Sequence, residues 1–205
     1  MHGSLLPKYR GAAPINWAVI NGETETGVTT FFIEKEIDTG KVIDHAKIDI
    51  QKYDTAGDVH DRLMWVGADL LVHTIQRIFA NQAEAKVQPE SEVSHAPKIF
   101  KPDCKIDWHD DALAIFNKIR GLSPYPTAFT TIRRGDELKS LKLFEADYTI
   151  DHANHVGQLK QVGSELWLGC QNGWIKIMTL QLEGKKRMKS EDFLKGFKME
   201  GWQPE

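Results

Sequence analysis

Met1-His2-Gly3-Ser4-Leu5-Leu6-Pro7 opens the chain on what reads as the end of a strand turning into a loop, and a short helix follows it. In that helix Pro14 sits in the first turn, Ile15, Trp17, Ala18 and Ile20 supply the apolar positions, and Asn21-Gly22 is a left-handed stop. Two β-branched and aromatic runs come next, Thr26-Gly-Val-Thr-Thr-Phe-Phe-Ile33 and Val42-Ile-Asp-His-Ala-Lys-Ile-Asp-Ile50. They predict two strands joined through Asp38-Thr39-Gly40. Val59, Leu63, Val66, Leu70, Ile75, Ile78 and Phe79 recur at helical spacing and predict a long amphipathic helix over about 56–80. Its apolar face needs a sheet to cover. One short helix, two strands and one long helix are too few for a covered α/β layer, so upstream elements are expected to be absent. Ligands of open α/β sheets bind outside the carboxyl ends of strands, which puts a site at the opening loop.

The bulk properties exclude several classes. With 205 residues and 41% hydrophobic content the chain can bury one large core or two small ones. No apolar run approaches the roughly 20 residues of a membrane span, and the start lacks the basic and apolar regions of a signal peptide, so a cytoplasmic location is expected. Cys104 and Cys170 are far apart without a Cys-x-x-Cys neighbour and read as reduced core thiols. A net charge of -3 argues against coating nucleic acid by bulk charge, but residues 1–103 carry -4 and residues 104–205 carry +1. Arg133-Arg134 and Lys185-Lys186-Arg187-Met188-Lys189 make a local basic face in the second half possible; a solvated loop has the same charge count.

The chain divides into residues 1–82, an interdomain linker over 83–103 and a second unit over 104–205. The linker is polar and unperiodic, with Pro89, Pro97 and Pro102. The second unit opens with a helix over about 111–120, carrying Ala112, Ile115, Phe116 and Ile119 on one face and Gly121 as its stop. After Ser123-Pro124-Tyr125-Pro126 come short strand candidates at about 127–132, 139–147, 165–170 and 173–182, the pattern of a small β-barrel.

His2-Gly-Ser-Leu-Leu-Pro-Lys-Tyr-Arg-Gly-Ala-Ala-Pro14, then Gly22-Glu-Thr-Glu-Thr-Gly-Val-Thr29 and Ile37-Asp-Thr-Gly40, resemble the folate-dependent formyltransferases. The separation of 36 from His2 to Asp38 matches that of the family's catalytic His and Asp. Arg10-Gly-Ala-Ala-Pro-Ile15, Ile119-Arg-Gly-Leu-Ser-Pro-Tyr-Pro126 and Leu180-Gln-Leu-Glu-Gly-Lys-Lys-Arg-Met188 are similar to the branch that acts on methionyl-tRNA. The resemblance covers nearly the whole chain. It implies a partial Rossmann-like α/β formyltransferase domain followed by a small OB-like β-barrel that binds tRNA.

Formyl transfer from 10-formyltetrahydrofolate to an amine passes through a tetrahedral intermediate with a developing oxyanion and an ammonium. A donor and a proton acceptor are needed, and neither a metal nor a covalent nucleophile. His2 can supply the donor, and Asp38 can favour the charged imidazole and take the amine proton directly or through water. The resemblance implies that Ser4, Leu5, Leu6 and Pro7 lie along the folate, and that Arg10, Lys185, Lys186 and Arg187 meet the initiator methionyl-tRNA. It also implies a catalytic Asn two residues before the His, where this chain has only Met1. The expectation is therefore a fragment without normal activity by itself, able to self-associate through a truncated sheet.

Rival readings are a sugar-nucleotide formyltransferase, which the opening motif suits almost equally well, and a tRNA-binding module without catalysis. The Leu180–Met188 run favours the methionyl-tRNA branch over the first. An aspartic protease needs two carboxylates sharing a site, and only one Asp-Thr-Gly is present. Ser4 lacks the Gly-x-Ser-x-Gly elbow of a hydrolase. His152-Ala-Asn-His155 has a ligand-like gap but loop composition, and Trp65 and Trp174 read as packing aromatics rather than base platforms.

Overall fold

The computed structural model describes every residue from Met1 to Glu205. Backbone contacts divide it into two compact units, Met1–Ile99 and Phe100–Glu205.

The first unit is a small α/β layer. Its elements are β1 (Arg10–Gly11), α1 (Pro14–Ile20), β2 (Glu25–Phe31), β3 (Val42–Asp49), α2 (Ala56–Phe79) and β4 (His95–Ala96). Helix α1 starts on its proline, and the left-handed residue after it is Gly22, at φ 73°, with Asn21 still right-handed. Strands β2 and β3 pair antiparallel from Glu25 opposite Asp49 to Phe31 opposite Val42. Helix α2 begins with a capping box: Thr55 accepts from the Asp58 N–H, and the Asp58 carboxylate accepts from the Thr55 N–H. It buries Ala56, Val59, Leu63, Gly67, Leu70 and Thr74, a stripe at three- and four-residue steps. Ile75 and Phe79 lie one position off that stripe and are exposed, as is Trp65. Val59, Leu63 and Leu70 share a core with Tyr9, Ala18, Val19, Val28, Ile50 and Ala96.

The stretch read as a linker contains short ordered pieces. Lys86 bridges Val42 with two backbone hydrogen bonds of 2.8 Å, and β4 pairs in parallel with β1. Residues 83–99 therefore group with the first unit, and the boundary falls between Ile99 and Phe100. Periodicity missed this because two-residue strands carry no period. Gly11 is needed at the β1–β4 contact: it has φ 132°, and a Cβ there would stand 2.5 Å from the Ala96 carbonyl oxygen.

In the second unit, α3 (Ala112–Gly121) precedes β5 (Ala128–Arg134), β6 (Glu137–Ile150), β7 (Leu159–Val162), β8 (Glu165–Cys170), β9 (Gly173–Leu182), β10 (Met188–Lys189), α4 (Ser190–Gly196) and β11 (Gln203–Pro204). Gly121 is not the expected left-handed stop. It is the last helical residue, buried, and the chain leaves through Leu122 in right-handed conformation, closed by the Thr127 N–H on the Leu122 carbonyl at 2.8 Å. The seven-stranded sheet runs β11-β5-β6-β9-β8-β7 with β10 beside β9, and no pairing joins β7 to β11, so the barrel is a half-barrel. Ile115, Ile119, Ile132, Leu143, Leu168, Ile175 and Leu180 are fully buried within it. Trp174 packs, with His155 stacked on it at 4.4 Å and Lys160 Nζ 3.7 Å from its ring centre. Burial pushes the Cys104 and Cys170 thiols up, away from nucleophilic thiolate character.

Thr55→Ala removes the cap of α2 and should cost about 1 kcal/mol in urea unfolding, with an unchanged m value. The buried Tyr9 phenol offers a second test. Burial pushes its pKa from the ordinary 10.0 up to about 12, helped by its hydrogen bond to Glu23 and opposed by the Asn21 amide. The folded state thus holds the proton more tightly than the unfolded state. The corresponding stability is present below about pH 10 and is lost as pH rises toward 12, up to about 2–3 kcal/mol. Unfolding free energies of Tyr9→Phe should lack that part of the alkaline decline, and an identical decline in both proteins would refute the assignment.

Candidate active site

Thr29 of β2 anchors the opening loop. Its backbone pairs with His2 in both directions at 2.9 Å, and its hydroxyl donates to the Ser4 carbonyl at 2.6 Å while accepting the Leu6 N–H at 3.1 Å. The Ser4 hydroxyl closes the turn on the Lys8 carbonyl at 2.6 Å. His2 is thereby held in an isolated antiparallel bridge to Thr29, with its side chain only 9% exposed at the start of the loop.

Asp38 reaches it from the β2–β3 connection. Its backbone is left-handed at φ 56°, which Asp tolerates better than most residues. One carboxylate oxygen, Oδ2, accepts the Gly11 N–H at 2.9 Å and lies 3.5 Å from His2 Nδ1. The other ring nitrogen, Nε2, is 2.8 Å from the Tyr9 carbonyl, which can only accept, so Nε2 carries a proton. Both ring nitrogens thus face oxygens. At 3.5 Å the Asp38 contact is longer than a committed hydrogen bond, which leaves Nδ1 open to another partner.

The loop that carries Asp38 is held by Gln88, 4% exposed, whose amide donates to the Asp38 and Gly40 carbonyls at 2.8 Å each. Arg10 in turn donates to the Gln88 oxygen from Nε at 3.2 Å and Nη2 at 2.9 Å, and meets Glu90 at 3.2 Å. Gly40 is obligatory in this connection, since a Cβ would fall 1.6 Å from the Phe32 carbonyl oxygen. Gln88, Thr29 and the Gly11 N–H are the site residues that sequence reasoning did not assign a role. Gln88 lies in the polar, unperiodic stretch and gives no signal of its own.

The other expected residues divide. Ser4 is fully buried and structural in its side chain, and Leu5 and Leu6 are half-buried. The Leu5 N–H and Leu6 carbonyl have no partner within the chain, so backbone groups are available along this loop. Arg10 does not fit its expected place at a tRNA surface: it is 8% exposed and its guanidinium points inward at Gln88. Lys185, Lys186 and Arg187 are exposed in the turn between β9 and β10, and Arg187 pairs with Glu145 at 3.1 Å.

The family profile described as formyl transferase matches residues 1–75, and that of the formyl transferase C-terminal domain matches residues 98–198. The chain is 44% identical to the methionyl-tRNA formyltransferase of Phocaeicola vulgatus, over 97% of its own length and 64% of the relative's. It is 45% identical to that of Parabacteroides distasonis, with the same coverage. It therefore spans about two-thirds, 64%, of the length of these relatives. Among solved structures, HypX from Aquifex aeolicus in complex with tetrahydrofolic acid superposes with a TM-score of 0.72 at 18% identity, over 98% of this chain and 35% of that one. An N-formyltransferase from Helicobacter canadensis, solved with folinic acid and dTDP-3-aminofucose, gives a TM-score of 0.67 at 24% identity, over 91% and 65%. These likenesses show the fold. With both domain profiles matched in order along one polypeptide, the chain belongs to the formyl transferase family.

Proposed function

We propose that this chain serves formyl transfer from 10-formyltetrahydrofolate to the amino group of methionyl-initiator-tRNA. The observation that carries the reading is the His2–Asp38 pair at 3.5 Å, assembled from two distant segments beside a loop with unsatisfied backbone groups. The amine nitrogen adds to the formyl carbon to give a tetrahedral intermediate, which collapses as the bond from that carbon to the folate nitrogen breaks. His2 stabilises the developing oxyanion by donating from its ring, and Asp38 accepts the amine proton, which passes on to the departing folate nitrogen. The Leu5 N–H and Leu6 carbonyl are assigned to the folate. Lys185, Lys186 and Arg187 are assigned to tRNA phosphates, consistent with their exposure in one turn.

A second reading, a tRNA-binding module without catalysis, is favoured by the concentration of basic side chains in the second unit. One assay separates them. The purified chain, supplied with 10-formyltetrahydrofolate and methionyl-initiator-tRNA, should form formyl-methionyl-tRNA far more slowly than a full-length relative, and His2→Ala or Asp38→Asn should lower that residual rate by about 10²–10⁴-fold. Binding of tRNA by the unmodified chain without any formylation would replace the catalytic reading with the binding one.

Gln88→Ala tests how Asp38 is held. It removes two hydrogen bonds to carbonyls and strips the buried Arg10 of its main acceptor. The loss should be about 2–4 kcal/mol in denaturant unfolding. A midpoint equal to that of the unmodified chain would show that the loop is held by other contacts.

A further inference from the structure

The basic turn between β9 and β10 is organised around one carboxylate. Strand β6 is irregular at Glu145, where its register with β9 shifts on both sides, and the residue stands opposite Thr179 of β9, which in turn pairs with Lys189 of β10. Glu145 Oε2 accepts from the Thr179 hydroxyl at 2.6 Å and from Lys189 Nζ at 2.9 Å, and Oε1 accepts from Arg187 Nη2 at 3.1 Å. The Arg187 guanidinium also lies 4.2 Å over the Phe144 ring, which fixes it from below. Burial opposes ionisation of Glu145, but the Thr179 hydroxyl and the Lys189 and Arg187 cations outweigh it and hold the carboxyl below its usual range. Lys185 and Lys186 are exposed in the same turn, and exposed Lys142 sits on β6 opposite Gln181.

A hydroxyl, a guanidinium and an ammonium converging on two anionic oxygens form the partner set that a phosphate diester takes on a protein surface. We propose that Glu145 is an internal stand-in for a tRNA phosphate: it occupies Arg187 and Lys189 in the free protein and yields them when the nucleic-acid backbone arrives. The inference rests on reading tRNA as the partner of this chain. Arg187 and Lys189 are 43% and 57% exposed, so their pairs with Glu145 are screened surface pairs, each worth about 0–1 kcal/mol. A polyanion that releases counterions can displace them. The carboxylate then weakens tRNA binding while keeping the two cations on the sheet, which favours release of a bound product.

Glu145→Gln retains an oxygen acceptor for Thr179 and the side-chain volume but removes the charge. Its affinity for an initiator tRNA transcript, measured between about 50 and 200 mM KCl, should be roughly 3–30-fold tighter at the low end, with a salt slope steeper by about one per freed cation. Asp136→Asn, in the exposed β5–β6 turn, changes net charge equally without freeing a paired cation and should shift affinity less than about twofold. If Glu145→Gln binds no more tightly than Asp136→Asn, the proposal is overturned and Glu145 is a bracket that merely positions its two cations. Retention on immobilised heparin repeats the comparison without tRNA. Later elution of Glu145→Gln than of Asp136→Asn, with no tRNA binding by the unmodified chain, would sink the tRNA reading and leave the anion stand-in standing. Co-elution of the two variants would sink the stand-in whatever the tRNA result.

Discussion

The hydrogen bonds of a single residue, Thr29, fix the site. Its backbone holds His2 in an isolated antiparallel bridge through two bonds of 2.9 Å, and its hydroxyl serves the Ser4 carbonyl and the Leu6 N–H together. A five-residue excursion of chain is thus pinned at its first, third and fifth positions to one side of β2. An unpinned loop would sample many conformers, at roughly 1–2 kcal/mol of backbone entropy per residue ordered. The fully buried Thr29 hydroxyl has no water to turn to, so breaking either bond leaves a buried polar group unpaired. The position of His2 is therefore inherited from β2.

The second half of the site obeys the same logic with different groups. The β2–β3 connection is long and mostly exposed, yet Asp38 within it is placed to within a hydrogen bond of Gly11. Gln88 accomplishes this from a segment far along the sequence, and Arg10, beside Gly11 in β1, orients Gln88. The chain thus closes a loop of contacts from β1 to residue 88, to Asp38, and back to β1. Because Gly11 also abuts Ala96, the β1–β4 pairing and the carboxylate position depend on one backbone. A side chain at residue 11 would disturb both.

Much of this was legible from the sequence, for identifiable reasons. Strands β2 and β3 announce themselves by β-branched density and α2 by its period, because each buries a face long enough to leave a pattern. His2 and Asp38 were legible through a spaced motif rather than through physics. What stayed hidden has the opposite character. The strands β1, β4, β10 and β11 are two residues each, too short for any period, and α4 is two turns. Gln88 is a polar residue among polar residues, and only the fold reveals that it is buried. Helix α2 runs over Ala56–Phe79 as its period predicts, but the buried stripe stops at Thr74, and Ile75, Ile78 and Phe79 beyond it are apolar yet exposed.

Arg10 and Arg187 show the same limit in electrostatic form. Both were read from the sequence as nucleic-acid contacts, and both carry the same guanidinium. Arg10 is enclosed, its guanidinium held by the neutral Gln88 oxygen and by the exposed Glu90 carboxylate at 3.2 Å, so moving it outward would leave a buried amide network unpaired. Arg187 stands at the surface against a carboxylate, where solvent and salt weaken the pair and exchange for another anion costs little. Burial, which charge counting cannot see, encloses one arginine among buried amide groups and leaves the other at the surface. The functional surface of a charged chain is therefore set by which of its cations are held weakly, not by how many it has.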